Sequence, residues 1–131
     1  MAILDTDCIV GLIRGHPDAL RKLALFASQG EPIATTAVNV AELFRGAHLA
    51  RDSTRALTRV RAVLAPIVVL PLDGSAGEEY GRIVADLERR GRPVGHMDSM
   101  IGAISLLAGE RVVTRNARHF SQVPGLEVDP W

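Results

Sequence analysis

The residues of this chain whose types and positions could do chemistry are three carboxylates far apart in sequence, Asp5, Glu42 and Asp98. Asp5 directly follows the apolar run Ala2-Ile3-Leu4, and so stands at the carboxyl end of an expected strand, where open α/β sheets place their functional clefts. Its structural alternative is to cap the helix that follows, but Asp7 is the better-placed cap, which leaves Asp5 free. Glu42 lies in a helix four residues after Val38 and next to Ala41, so it faces the apolar side or its margin. Its ordinary partner would be Arg45, one turn later, in a surface pair. Asp98 stands in the first turn of a helix, where the backbone dipole favours negative charge. It shares a small, polar stripe with Gly102 and Ser105, which leaves room for a ligand to approach.

Three acids meeting at one cleft would repel one another and push at least one pKa upward unless a cation neutralised them. Hard oxygen ligands, with no cysteine and no required histidine, suit Mg²⁺ or Mn²⁺ rather than zinc. Such ions keep waters that can become nucleophiles, and they bind phosphate oxygens, a combination that serves phosphodiester hydrolysis.

The elements that must position these acids can be read from the spacing of apolar residues. Ala2-Leu4 reads as a buried strand, followed by a short helix from about Asp7 to Arg14 and, after Gly15-His16-Pro17, a helix from Asp18 to Ser28. Pro32-Thr35 is a second strand. Val38, Ala41, Leu43, Phe44 and Ala47 space a helix from Ala37, and Ser53 caps another that ends at Pro66. Ile67-Leu70 is a third strand, and a long helix from Asp73 or Ser75 runs to Arg90. Met97-Ala108 is apolar on most sides and hence central. Val112-Thr114 is a fourth strand, Asn116-Phe120 a single helical turn, and Leu126-Val128 a fifth strand. Apolar strands alternating with helices imply a parallel sheet covered on both faces.

Four segments in this order resemble the successive motifs of PIN-domain nucleases, and together those of the VapC-type toxins of prokaryotic toxin-antitoxin pairs. They are Ile3-Leu4-Asp5-Thr6-Asp7, Val40-Ala41-Glu42-Leu43-Phe44-Arg45-Gly46, His96-Met97-Asp98-Ser99-Met100-Ile101-Gly102-Ala103 and Val113-Thr114-Arg115-Asn116-Ala117-Arg118-His119-Phe120. The resemblance covers essentially the whole chain, read as one PIN-like domain over residues 1–131. It implies an α/β fold, a three-layer α/β/α sandwich around a mostly parallel sheet of four to five strands. It also implies Mg²⁺- or Mn²⁺-dependent endoribonuclease activity leaving a 5′-phosphate and a 3′-hydroxyl, homodimerisation, and inhibition by a cognate antitoxin in a toxin-antitoxin hetero-oligomer. On this reading Asp5, Glu42 and Asp98 hold the metal, and Asn116 completes the catalytic set. The last motif departs from the fullest pattern, with Thr114 and Asn116, and with His119 where an aspartate is common. An amide can orient a water but brings no charge, which puts a second tightly held metal in doubt.

Composition narrows the alternatives. The formal charge is zero, so any anion-binding surface must be local. Arg51, Arg55 and Arg59 line one helix face, and Arg89, Arg90 and Arg92 cluster at a helix end. Arg115 and Arg118 flank Asn116 and are the better phosphate candidates. Asp5-Thr6-Asp7 after a strand also resembles the aspartate pair of haloacid-dehalogenase-type phosphatases, but these need a late lysine, and the single lysine is Lys22. A phosphorylatable receiver domain fails on the same ground. His16, His48, His96 and His119 show no spacing that supports paired histidine catalysis, although His96 and His119 are expected near the cleft. The non-enzymatic alternative is a catalytically degenerate PIN-like module that binds RNA or protein. The lone Cys8 permits no internal disulfide. No stretch has the length of a membrane span or the pattern of a signal peptide, so a cytoplasmic protein without membrane contact is expected.

Overall fold

The computed structural model describes residues 1–131. In chain order the elements are β1 (Ala2–Leu4), α1 (Thr6–Ile13), α2 (Pro17–Ser28), β2 (Ile33–Thr36), α3 (Ala37–Leu49), α4 (Ser53–Leu64), β3 (Val68–Leu70), α5 (Gly74–Arg89), α6 (His96–Ala108), β4 (Arg111–Val113), α7 (Ala117–Phe120) and β5 (Val128–Asp129). The five strands form one sheet in the order β3-β2-β1-β4-β5, with every pairing parallel. Helices cover both faces, giving the expected three-layer sandwich.

Strand alternation builds the two cores. Val113 packs with Leu4, Ile9, Phe26, Leu43 and Val60 on one face, whereas its neighbour Val112 packs with Val38, Ile101, Ile104 and Phe120 on the other. Successive strand side chains point to opposite faces, so both must be apolar when helices cover both. Burying each large side chain of this kind contributes about 1.5–3 kcal/mol relative to exposing it. Helix α6 has the fully buried Ile101 and Ala103 between the sheet and α5, and it stops at Gly109, whose φ of 68° provides the left-handed turn.

Local details differ from the sequence expectations in instructive ways. Asp52, not Ser53, caps α4, accepting from the Arg55 amide. Strands β2 and β5 each lie one residue or more later than expected. Gly102 does not open space for a ligand, because a Cβ there would meet Val123 and Leu126 at 3.5 and 3.6 Å. Those are ordinary contact distances, so the position faces the interior against the segment after α7, and Ser105 is buried with its hydroxyl donating to the Ile101 carbonyl.

The chain runs outward from β1 to β2 and β3, then returns to the other side of β1 as β4. The sheet therefore has its topological switch point between β1 and β4, where the connections leaving the two strands diverge and a crevice forms. Away from the cleft, charged side chains tie the strands together. Arg111 makes a forked contact to Glu31 at 2.6 and 2.8 Å and reaches Asp129 at 3.1 Å, Lys22 also binds Asp129, and the Met1 amine lies 2.8 Å from Glu110. The Arg111 hydrogen bonds hold the Glu31 carboxyl below its ordinary range.

Candidate active site

At the switch point lies a cleft of about 490 Å³ whose lining includes Asp5, Glu42, Asp98 and Asn116. The four residues singled out in the sequence thus come from the ends of β1 and β4 and from α3 and α6, and the fold gathers them in one place. Each acid is held by its own polar anchors.

Asp5 is the N-cap of α1, contrary to the expectation that Asp7 would take that role. Its Oδ1 accepts from the Thr6 amide at 2.8 Å and from Asn39 Nδ2 at 2.9 Å, and its Oδ2 accepts from the Thr114 hydroxyl at 2.7 Å. Capping and site membership are therefore compatible, because one carboxylate at a strand end does both. Asp7 sits inside the first turn of α1 and fastens the cleft wall. Its Oδ2 accepts from the Arg115 amide at 2.9 Å, and its Oδ1 accepts from the Trp131 indole at 2.8 Å.

Glu42 does not pair with Arg45. Its Oε1 accepts from the Thr6 hydroxyl at 2.9 Å, and the same hydroxyl accepts from Asn39 Nδ2 at 3.0 Å. Asn39 is fully buried and forms a capping box with Thr36 at the start of α3, so its amide is rigidly placed. From there it bridges Asp5 and Thr6 at once. The Asp98 carboxylate lies in the first turn of α6, whose N-cap is Gly95 without a side-chain cap bond. Its Oδ2 accepts from Asn116 Nδ2 at 3.1 Å, and His119 Nδ1 lies 3.1 Å from the same oxygen. His96 instead meets the Tyr80 hydroxyl at 2.6 Å and does not line the cleft.

Sequence reasoning had no place for Asn39, Thr6 or Trp131. For Asn39 a signal existed: Thr36 followed three residues later by a hydrogen-bonding side chain is the spacing of a capping box. Nothing in the sequence linked residue 131 to residue 7. Trp131 packs against Gly11, where a Cβ would lie 2.7 Å from the ring, and Arg115 stacks over the indole at 3.8 Å.

The cleft also takes in Arg14 and Arg115, the latter paired with Asp18, so the acids share it with two guanidiniums that do not bind them. Burial pushes the Asp5 carboxyl up to about 6; the Thr114 hydrogen bond works against this, and the charges of Asp7 and Asp98 add to it. Burial likewise raises Glu42, opposed by the Thr6 hydroxyl and reinforced by Asp98. No lysine or arginine pairs with any of the three acids, and the one basic contact is His119 on Asp98. No three histidine, cysteine or acidic side chains lie close enough together to cage an ion by direct ligation. The donor set is nonetheless that of a hydrated hard cation: carboxylate oxygens without thiols, in an open cleft where an ion keeps several waters.

A family model described as PIN domain matches residues 2–126. The chain is 33% identical over 129 residues to the tRNA(fMet)-specific endonuclease VapC of Shigella flexneri, covering 98% of this chain and 96% of that protein. Among solved structures, DNA-bound VapBC from Salmonella typhimurium superposes with a TM-score of 0.90 at 31% identity, covering 99% of this chain and 97% of that one. VapBC2 from Rickettsia felis, bound to a promoter DNA fragment, gives 0.91 at 24% identity over 99% of this chain and 98% of that one, a likeness of fold.

Proposed function

The chain belongs to the PIN domain family, and we propose that it is a metal-dependent endoribonuclease, the toxin of a type II toxin-antitoxin pair. The observation that carries this reading is the convergence of Asp5, Glu42, Asp98 and Asn116 on one cleft in which the lining Arg14 and Arg115 form no ion pair with any of the three acids. The relatives named as endonucleases and ribonucleases support the reaction class.

Asp5, Glu42 and Asp98 would hold Mg²⁺ or Mn²⁺ directly or through water. When bound, such an ion lowers the pKa of an attacking water and draws charge from the scissile phosphate. The protein's own part is orientation. Thr6, Asn39 and Thr114 fix both oxygens of Asp5, so that carboxylate cannot turn away from the cleft. Glu42 has one oxygen on Thr6, which leaves the other to accept a proton from an attacking water. Asn116 holds the Asp98 carboxylate by its amide. Cleavage would leave a 5′-phosphate and a 3′-hydroxyl.

An antitoxin is the second partner in this reading, supported by the solved relatives described as VapBC complexes. Beside the cleft runs a groove of about 570 Å³ lined by Val10, Ile13, Leu43, Ala47 and Val60, with Arg55 and Arg59 among its polar residues. It suits an amphipathic helix or an extended apolar segment. Self-association as a homodimer belongs to the same proposal, and the edge strand β3 exposes Val68 and Val69. No helix is long and apolar enough to cross a membrane.

The test is cleavage of RNA by protein stripped with a chelator and then resupplied with Mg²⁺ or Mn²⁺. Activity that vanishes and returns with the ion is expected, together with ion binding by calorimetry. A chain that binds RNA or an antitoxin but neither binds the ion nor cleaves would be the degenerate module instead.

A further inference from the structure

A second recess of about 510 Å³ is lined by Arg92, Pro93, Val94, Arg118, His119 and Gln122. Its lining contains two guanidiniums, an imidazole and an amide, and no acid. Arg92 comes from the turn between α5 and α6, and Arg118 from α7, so the recess is assembled by two segments far apart in sequence.

Neither arginine is committed to a carboxylate. Arg82, Arg90, Arg111 and Arg115 each hold a carboxylate, whereas Arg92 and Arg118 form no ion pair and are exposed. In a chain of zero formal charge, two unpaired guanidiniums facing one recess make a local positive site. Their planar forks match phosphate oxygens, and neither has to give up a protein partner to take one. The link to the cleft is His119, which lines the recess while its Nδ1 sits 3.1 Å from Oδ2 of Asp98, a cleft residue. A polyanionic strand whose one phosphate lies among the acids would have its next phosphates within reach of this recess.

We propose that the Arg92–Arg118 recess binds a backbone phosphate flanking the scissile one in a single-stranded RNA substrate. It rests on the ribonuclease reading, and it adds the direction in which the strand leaves the cleft: over α7 toward the α5–α6 turn. The recess would supply affinity and register through charge, without reading bases. It takes no part in the bond cleavage, so its loss should appear in substrate binding and not in turnover at saturation.

The experiment compares the parent with Arg92→Ala/Arg118→Ala and with Arg92→Lys/Arg118→Lys. Binding of a labelled single-stranded RNA of about 12 nucleotides is followed by anisotropy in EDTA over a salt series, and cleavage kinetics are measured with Mg²⁺. Both side chains are exposed, so unchanged melting curves should accompany every variant. The expected result for the alanine pair is Kd and KM raised about tenfold with kcat within about twofold, and a salt slope shallower by roughly 0.7 for each phosphate no longer neutralised. The lysine pair should restore the slope but only part of the affinity, because the charge returns without the fork. A parent-like Kd, KM and slope in the alanine pair, with the parent cleaving normally, would overturn the recess alone. A parent that neither binds nor cleaves RNA would overturn the ribonuclease reading and this inference with it. Parent-like RNA handling with lost binding of an acidic protein would assign the recess to a protein and contradict the proposal.

Discussion

The Thr114 hydroxyl and Asp5 Oδ2, 109 residues apart in sequence, lie 2.7 Å from each other and join the carboxyl ends of β4 and β1 across the switch point. This bond favours the ionised form of Asp5 in a place where burial opposes it. Thr114→Val keeps the shape and removes the donor. The acid limb of the pH–rate profile for Mg²⁺-dependent cleavage should move to higher pH by about one pKa unit, or 1.4 kcal/mol, with kcat/KM lower by about tenfold on that limb and by only about twofold near neutrality. An unmoved acid limb in a folded Thr114→Val protein would separate Asp5 from the rate.

Asp5 should also make the metal-free protein less stable as pH rises. Its folded-state pKa of about 6 lies above its ordinary value of 3.8, so the folded chain binds the proton more tightly than the unfolded one. The contribution is fully present below the unfolded pKa and is lost as pH rises through about 6, amounting to about 3 kcal/mol. Denaturant unfolding in EDTA at a series of pH values should show this decline, and Asp5→Asn should flatten it. The asparagine can be accommodated: its oxygen still accepts from Thr6 and Asn39, and its amide donates to Thr114, whose hydrogen can turn to Asp7 Oδ2 at 3.2 Å.

Gly11 is needed because the Trp131 ring lies against it, with only 2.7 Å available to a Cβ. Gly11→Ala should expel the ring from its seat, break its hydrogen bond to Asp7, and cost about 1–3 kcal/mol. Trp131 is the only tryptophan, so its emission reports the event directly as a shift to longer wavelength. Unchanged emission and stability would mean that the ring does not hold this position in solution.

The acids themselves were legible because each interrupts a pattern. Asp5 follows an apolar strand, Glu42 lies at the margin of an apolar helix face, and Asp98 opens an apolar helix. The strands could be recognised from continuous apolar runs, since both faces of the sheet are covered. What holds the acids was not legible, because Thr6, Asn39 and Thr114 act through contacts between 33 and 109 residues distant. Local rules also misassigned Asp5 and Asp7: both are good cap residues, and it is Asp5 whose side chain accepts from the Thr6 amide at the start of α1. The Gly102 stripe misled for a related reason, as spacing along a helix does not say whether a face meets a cleft or, as here, Val123 and Leu126.

The most direct test of the central claim is the RNA cleavage rate of Asp98→Asn with Mg²⁺, measured beside the parent on protein shown to be folded by its melting curve. The substitution keeps the size, leaves one oxygen to accept from Asn116, and removes the charge at the cleft. If Asp5, Glu42 and Asp98 form a metal-dependent nuclease site, the rate should fall by at least about 100-fold, with Mg²⁺ affinity weakened in the same protein. Cleavage at the parent rate by folded Asp98→Asn would contradict the account.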